Sequence, residues 1–445
     1  MRCHEQDRAT RDRTAAEAMA MTKINLFVFA AHHLSGNIAA QRFKGLLKYL
    51  DPAKYRIFVF ARAPAAGAPA AASPSTPGIT VLPLPGHCVG SESSATASLL
   101  TMAAAFLRPL PFLFAGGAGR EQPWLVRALA AADRMCAERL AAGERCVAIG
   151  TYSPIDSLVA AASLASRRRI GCLQDFRDGL VFEPLGKPGR LRTWMRTLIE
   201  RRVVAAAGLV TSVSPPLVAD FQRRYPRKAA ATLPNGYDPA DFAARTGGAG
   251  DDPRVAAILA RWVPAGASLI GHFGRIGASD NSASQSLDFL VDALNASPAT
   301  MADKHVMFVG ELTPRERATL ERARFSVSVL GPVERTLALQ LMQRCDKLLL
   351  LTGSRASCAT GKLFEYLAAG ADIVCVSGVR NAATAILAET GAGRSLLTAD
   401  GAAAGDALRA ALAPGPADTQ RDIGPYSKRA QAGMLDRWIT DMVQP

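Results

Sequence analysis

The chain alternates short, nearly continuous apolar runs with longer stretches in which apolar residues recur every three or four positions. Continuous runs suit strands buried on both faces and the longer stretches suit helices laid over them, so the pattern predicts parallel sheets covered by helices. Strands are expected over 23–30, 55–62, 79–85, 146–151, 170–176 and 208–214 in the first half. In the second half they are expected over 268–275, 305–311, 325–331, 347–352, 372–377 and 394–398. Between the two sets lies Pro234-Asn235-Gly236-Tyr237-Asp238-Pro239, a run of turn formers, followed by a Gly/Ala/Asp segment up to Pro253. The expected fold class is α/β with two Rossmann-like domains, 22–234 and 254–415, joined by a linker over 235–253. Residues 416–445 are expected to form an amphipathic helix that packs back on the first domain.

Composition adds little to this picture except in its charge. At 445 residues, with 49% hydrophobic and 20% charged positions, the chain has length for two domains with ample cores. Eight cysteines occur without a Cys-x-x-Cys pair, several inside apolar runs, which fits a reducing compartment and small buried thiols. Residues 1–21 carry mixed charge and are expected as a disordered extension, or as the product of a start placed upstream of Met21. They lack a signal peptide's apolar core, and no uninterrupted apolar run of about 18 residues exists, so a cytoplasmic protein is expected. The stretch 95–115 is apolar but broken by Arg108, Pro109 and Pro111, and is expected as a buried or interfacial helix. Residues 64–78 are expected as a surface loop.

The net charge of +14 is concentrated: from 163 to 228 there are fourteen basic residues against five acidic ones, a local excess of nine. Such a field attracts anionic membrane, nucleic acid or phosphorylated substrates. Nucleic acid is disfavoured, because only 6% of residues are aromatic and no stacking or groove-reading motif accompanies the basic ones. The segment 190–202 sets Trp194, Met195 and Leu198 beside Arg192, Arg196, Arg201 and Arg202, and predicts peripheral contact with anionic lipid at the inner face of the membrane. A solvated helix packed by its apolar side is the plain alternative.

The strongest local chemical signal is Thr360-Gly361-Lys362-Leu363-Phe364-Glu365-Tyr366-Leu367-Ala368-Ala369-Gly370, a loop feeding a helix after an apolar strand. Free N–H groups at a helix start, a glycine that lets the backbone come close and the Lys362 charge suit a diphosphate. Glu365, one turn further in, can accept hydrogen bonds from ribose hydroxyls. Spacing alone is equally consistent with an amphipathic helix whose Lys362 and Glu365 are solvated.

This segment resembles the donor-site helix of the retaining GT-B glycosyltransferases of group 1, the family 4-like enzymes. Four further segments agree in order and distance: Gly150-Thr-Tyr-Ser-Pro154, Leu173-Gln-Asp-Phe-Arg-Asp178, Val210-Thr-Ser-Val-Ser214, and Leu233-Pro-Asn-Gly-Tyr-Asp238 with Phe242. The resemblance implies two domains facing each other across a cleft and transfer of a sugar from a nucleoside diphosphate sugar, with no other cofactor, to an acceptor hydroxyl. The acceptor it implies is a glycan or a lipid-linked one of bacterial envelope or exopolysaccharide synthesis. It puts Arg275, after Gly274, on the donor phosphates with Thr360, Gly361, Lys362 and Leu363, and Glu365 on the ribose. The family's phosphate lysine is replaced here by Asp280 or Asn281, and the first acid of its Glu-x7-Glu pattern by Ser357, so Lys362 is expected to substitute for the missing cation.

The resemblance also places a glycine loop after the first strand, with Gly36 as the backbone contact in Ala31-His32-His33-Leu34-Ser35-Gly36-Asn37. His33 then acts on the acceptor hydroxyl or is a hydrogen-bonded structural histidine. Asp175 and Asp178 flank Arg177 at a strand's carboxyl end, as an acceptor-positioning pair or a salt-bridged cluster. Neither an Asp-x-Asp at a strand end nor a His/Cys cluster of metal spacing occurs, so a metal-independent reaction is expected. A nicotinamide enzyme is disfavoured because no G-x-G-x-x-G follows the first strand of either half. A sugar-nucleotide epimerase of the same double-Rossmann shape and a non-catalytic nucleotide-sugar or membrane-surface binding protein are the alternatives.

Overall fold

A computed structural model describes residues 23–35, 38–64, 76–88, 123–184, 189–242, 252–277, 282–413 and 421–444. The expected extension over 1–21, the apolar stretch 95–115, most of the loop 64–78, Gly36, Asp280 and Asn281 lie outside these residues.

The first half forms β1 (Ile24–Phe29), α1 (Ile38–Lys48), β2 (Tyr55–Arg62), β3 (Ile79–Leu84), α2 (Trp124–Ala141), β4 (Arg145–Tyr152), α3 (Ile155–Arg168), β5 (Gly171–Phe176), α4 (Arg190–Ala206), β6 (Leu209–Ser212), α5 (Pro215–Arg224) and β7 (Ala229–Thr232). The second half forms α6 (Pro253–Trp262), β8 (Ser268–Phe273), α7 (Ser282–Asn295), α8 (Pro298–Met301), β9 (Lys304–Val309), α9 (Pro314–Glu321), β10 (Val327–Leu330), α10 (Arg335–Met342), β11 (Lys347–Thr352), α11 (Gly361–Ala369), β12 (Asp372–Ser377), α12 (Ala382–Thr390), β13 (Gly393–Leu397) and α13 (Gly401–Leu412), and α14 (Lys428–Val443) ends the chain. The strands pair in the orders β3-β2-β1-β4-β5-β6-β7 and β10-β9-β8-β11-β12-β13. Every ladder is parallel.

Each sheet is sandwiched, as its continuous apolar strands require. In β1, Phe27 and Phe29 face Trp124 and the helices α2 and α3, while Ile24, Leu26 and Val28 face Phe43 and Leu47 of α1. That second face is completed by Ala432, Leu435 and Ile439 of α14, so the last helix packs on the first sheet. The second sheet repeats the plan, with Leu348 and Leu350 against Leu363 and Phe364 on one side and Leu349 and Leu351 against Leu287 and Leu290 on the other. β7 lies outside the strands expected from sequence, because Ala-Ala-Ala-Thr has no hydrophobic signature and its burial is partial.

In both sheets the strand order reverses beside the first strand, between β1 and β4 and between β8 and β11. Such switch points, at the carboxyl ends of the strands, are where open α/β sheets take ligands.

The chain crosses between the sheets twice, and the two crossings are tied together. Tyr237 and Ser427 form a parallel bridge, with Tyr237 N donating to Tyr426 O at 3.1 Å and Lys428 N to Tyr237 O at 2.9 Å. A Cβ on Gly236 would fall 2.4 Å from Tyr426 O, so the crossing has room only for glycine there. Arg42 anchors the first crossing from inside the first domain. Its guanidinium grips Asp175 through Nε at 3.1 Å and Nη2 at 2.7 Å, and donates to Leu233 O, Pro234 O and Asn235 Oδ1.

Candidate functional site

The candidate site is assembled at the second switch point, where the loops leaving β8 and β11 meet the start of α11. Gly274 leaves β8 with φ +81° and its N–H donates to Val309 O at 2.7 Å. Gly310, at φ +144°, backs onto it so closely that a Cβ there would lie 2.9 Å from Gly274 O. The two glycines let the loop fold tightly over the sheet edge. Glu316, buried, receives the loop: its Oε1 accepts from Gly277 N and Ser284 Oγ, each at 3.0 Å, while its other oxygen caps α9 through Thr313 N.

Lys362 closes this corner. Its Nζ donates to Arg275 O at 2.6 Å and lies 3.5 Å from His272 Nε2. His272 is fully buried and holds Leu349 O at 2.9 Å through Nδ1, which makes Nδ1 the protonated nitrogen and leaves Nε2 to face the ammonium. Burial and then the Lys362 charge drive the His272 pKa well below its ordinary value, so the imidazole is neutral. Lys362 keeps part of its surface accessible, yet the dense protein around the ammonium pushes its pKa down to about 8. It remains mostly charged at neutral pH and is easily deprotonated above it.

α11 begins without a side-chain cap. Thr360 stands at the cap position, makes no capping bond, and its Oγ1 is buried with no hydrogen-bond partner among the described residues. A helix start carries N–H groups that no intrahelical acceptor takes, and here they adjoin the Lys362 ammonium. Leu363 departs from its expected role: its side chain is fully buried in the core and its N–H donates to Thr360 O at 3.1 Å, so it supports the loop. Arg275 points outward with its side chain 65% exposed and pairs with Glu311, Nε to Oε2 at 3.0 Å. Glu365 Oε1 accepts from Arg335 Nη2 at 2.9 Å, and the same nitrogen meets Asp241 Oδ2 at 2.8 Å.

The structure therefore brings Gly274, Arg275, Thr360, Gly361, Lys362 and Glu365 to one locus. His33 and Asp178 belong to the first domain, and among the described residues neither hydrogen-bonds directly to that locus. His33 is buried, its Nδ1 has no partner among the described residues, and burial followed by the Lys44 charge lowers its pKa to about 4. Asp178 pairs with Arg177, Nε to Oδ2 at 3.2 Å. Asp175 is not open to an acceptor: it is fully buried against Arg42 and also accepts from Thr151 and Thr211 at 3.0 Å each. The sequence reading missed His272, Glu316, Arg335 and Arg42, which act through contacts distant in the chain, and Glu183, whose carboxylate bonds Ala356 N and Ser357 N across the two domains.

No metal-holding group of three or more His, Cys, Asp or Glu side chains occurs among the described residues. None of their helices is long and apolar enough to cross a membrane.

No protein-family model and no curated sequence matches the chain. Solved structures do. The chain is similar to sucrose-phosphate synthase from Thermosynechococcus elongatus, with 15% identity and a TM-score of 0.59 over 95% of this chain and 99% of that one. It is similar to the N-terminal domain of Candida albicans trehalose-6-phosphate phosphatase, with 12% identity and a TM-score of 0.63 over 95% and 97%. A third likeness is to an E. coli structure titled trehalose-6-phosphate bound with UDP-2-fluoro glucose, with 14% identity and a TM-score of 0.58 over 95% and 99%. At these identities the likeness is one of fold. The architecture is a double Rossmann arrangement with an uncapped helix start at the switch point of the second sheet. The fold is GT-B: two Rossmann-like domains facing each other.

Proposed function

We propose that this chain is a glycosyltransferase that moves a sugar from a nucleoside diphosphate sugar to an acceptor hydroxyl. The observation that carries the reading is the uncapped start of α11, where the Gly361 end of the helix and the Lys362 ammonium converge on the Gly274–Arg275 loop. Helix-start amides and cations of this kind stabilise the charge that grows on a departing diphosphate. Arg275 is exposed enough to exchange Glu311 for phosphate, and the second carboxylate oxygen of Glu365 is the acceptor for a ribose hydroxyl. The fixed positive charge at the site is the reason to propose a metal-independent reaction.

Transfer with retention, in the manner of the family 4-like enzymes, fits the weakness of the bases at hand. His33, with its pKa lowered to about 4, is a poor proton acceptor, and Asp178 is occupied by Arg177, which leaves the departing phosphate to take the acceptor proton. The acceptor proposed is a glycan or lipid-linked hydroxyl of envelope or exopolysaccharide synthesis, met at the inner face of the membrane. In support, α4 exposes Leu191, Trp194 and Leu198 on one side, at 62%, 59% and 41%, among its arginines.

The test is a panel of nucleotide sugars, beginning with UDP-glucose, scored for thermal stabilisation and for nucleoside diphosphate release with and without acceptor. Release that depends on acceptor is expected. Isomerised sugar still attached to nucleotide would make the protein an epimerase, and stabilisation without turnover a binding protein.

A further inference from the structure

The loop after β5 sends one carboxylate across to the second domain. It is a tight turn: Gly179 and Pro184 form a parallel bridge, and a Cβ on Gly179 would collide with Phe182 O. Leu180 fixes it to the core of the first domain. Glu183 sits in this turn at φ +44°, a left-handed backbone that a glutamate adopts only against resistance. Held there, its Oε1 accepts from Ala356 N at 3.0 Å and its Oε2 from Ser357 N at 2.9 Å.

Those two N–H groups belong to the loop that leads from β11 into the start of α11. Other backbone groups of the loop are tied within the second domain or to the crossing: Ser354 N to Ser282 Oγ, Ala382 N to Ala356 O, Ala383 N to Cys358 O, and Asn235 Nδ2 to Ala359 O. The amides of Ala356 and Ser357 are where the first domain takes hold of it. A carboxylate on two consecutive amides makes paired charge-assisted bonds, which fix direction as well as distance.

We propose that Glu183 is a positioning residue: reaching from the first domain, it clamps the loop that sets Thr360, Gly361 and Lys362, so the donor site is fully formed only when the domains are closed. Its role in turnover rests on the donor-site reading above; its hold on the loop does not.

The test uses Glu183→Gly and Glu183→Gln in the full-length protein. Glycine accepts the positive φ, so Glu183→Gly removes the carboxylate without adding backbone strain, and the variant is expected to fold. Hydrogen exchange at the Ala356 and Ser357 amides is expected to rise about 10-fold or more in Glu183→Gly and less in Glu183→Gln, which keeps one carbonyl acceptor. With UDP as probe, dissociation is expected to quicken about 10-fold in Glu183→Gly, with partial rescue by Gln; with a turned-over UDP-sugar, kcat is expected to fall more than KM rises. Unchanged exchange at both amides would overturn the clamp, and wild-type UDP kinetics with raised exchange would overturn the positioning role. If wild type bound no nucleotide while exchange rose as expected, the donor-site reading would fail and the clamp would stand.

Discussion

Replacing Lys362 by Met separates what the ammonium does for a ligand from what it does for the fold. In the folded protein its pKa is lowered from 10.5 to about 8, chiefly by burial. At pH 7 about nine-tenths of the molecules carry the charge, and at pH 9 about one-tenth do. A charge-assisted contact to phosphate contributes about 1.5–3 kcal/mol, or roughly 10- to 150-fold in affinity. Wild-type affinity for UDP is therefore expected to weaken about 10-fold between pH 7 and pH 9, while Lys362→Met binds about 10-fold or more weakly at pH 7 and shows no such slope. Stability should behave differently. Keeping a lysine charged when its folded pKa lies below its unfolded one costs at most about 3 kcal/mol at pH 7, and the unfolded chain retains the proton that the folded one loses between about 8 and 10.5, so this part of the stability rises with pH. The lost hydrogen bond to Arg275 O opposes that gain with about 1.5–3 kcal/mol, so the melting temperature is expected to stay near the wild-type value. Calorimetric titration with UDP at pH 7, 8 and 9, beside thermal unfolding at the same pH values, measures both effects. An unaltered pH slope in a folded Lys362→Met protein would refute the assignment of this ammonium to the ligand.

Glu365→Gln is expected to lower UDP affinity about 10-fold or more with little change in melting temperature, because Arg335 keeps Asp241 at 2.8 Å; unchanged calorimetric affinity would remove α11 from the donor site. Arg275→Ala should reduce kcat/KM about 10²-fold, and near-normal steady-state kinetics would assign the phosphate charge to another cation. Turnover is expected to survive excess chelator; complete loss, restored by Mg²⁺ or Mn²⁺, would end the metal-independent proposal. Sedimentation with anionic vesicles should fall when Arg192, Arg196 and Arg201 become Glu, and unchanged binding would take α4 out of the membrane proposal.

The central strands were legible because they are continuous apolar runs buried on both faces, as Ile24–Phe29 and Lys347–Thr352 illustrate. β7 was not, since three alanines and a threonine become a strand only by pairing beside β6. The helix over Gly361–Ala369, the candidate donor helix, was legible because its signal is local: Gly361, Lys362 and Glu365 fall within five residues. Contacts between distant segments leave no such trace. Asp175 looks from sequence like a ligand-facing acid because strand-end acids and buried ion-pair partners share the same address; the distinguishing residue, Arg42, is 133 positions away. Glu183 likewise gains its meaning from Ser357, 174 positions on. The lowered pKa of Lys362 is a property of the packing around it, and no motif encodes that.

The contacts that join the two domains differ greatly in what it takes to break them, and this decides where the molecule can move. Arg42 is 5% exposed and Asp175 fully buried, and the guanidinium's five N–H donors are all engaged by Asp175, Leu233, Pro234 and Asn235. Breaking a buried pair by removing one partner costs about 3–5 kcal/mol, so the chain leaves the first sheet in a fixed direction as far as Asn235. Beyond it Lys48 pairs with Asp238 at 3.0 Å, Asn235 donates to Ala359 O, Tyr237 bridges Ser427, and Glu183 holds two amides. Glu183 and Asn235 both hold the loop before α11, while Arg42 holds only the first domain and its exit, so a separation of the domains is expected to strain that loop. The segment held by these ties carries Thr360, Gly361 and Lys362, so the clamp proposed for Glu183 predicts that separating the domains loosens the start of α11.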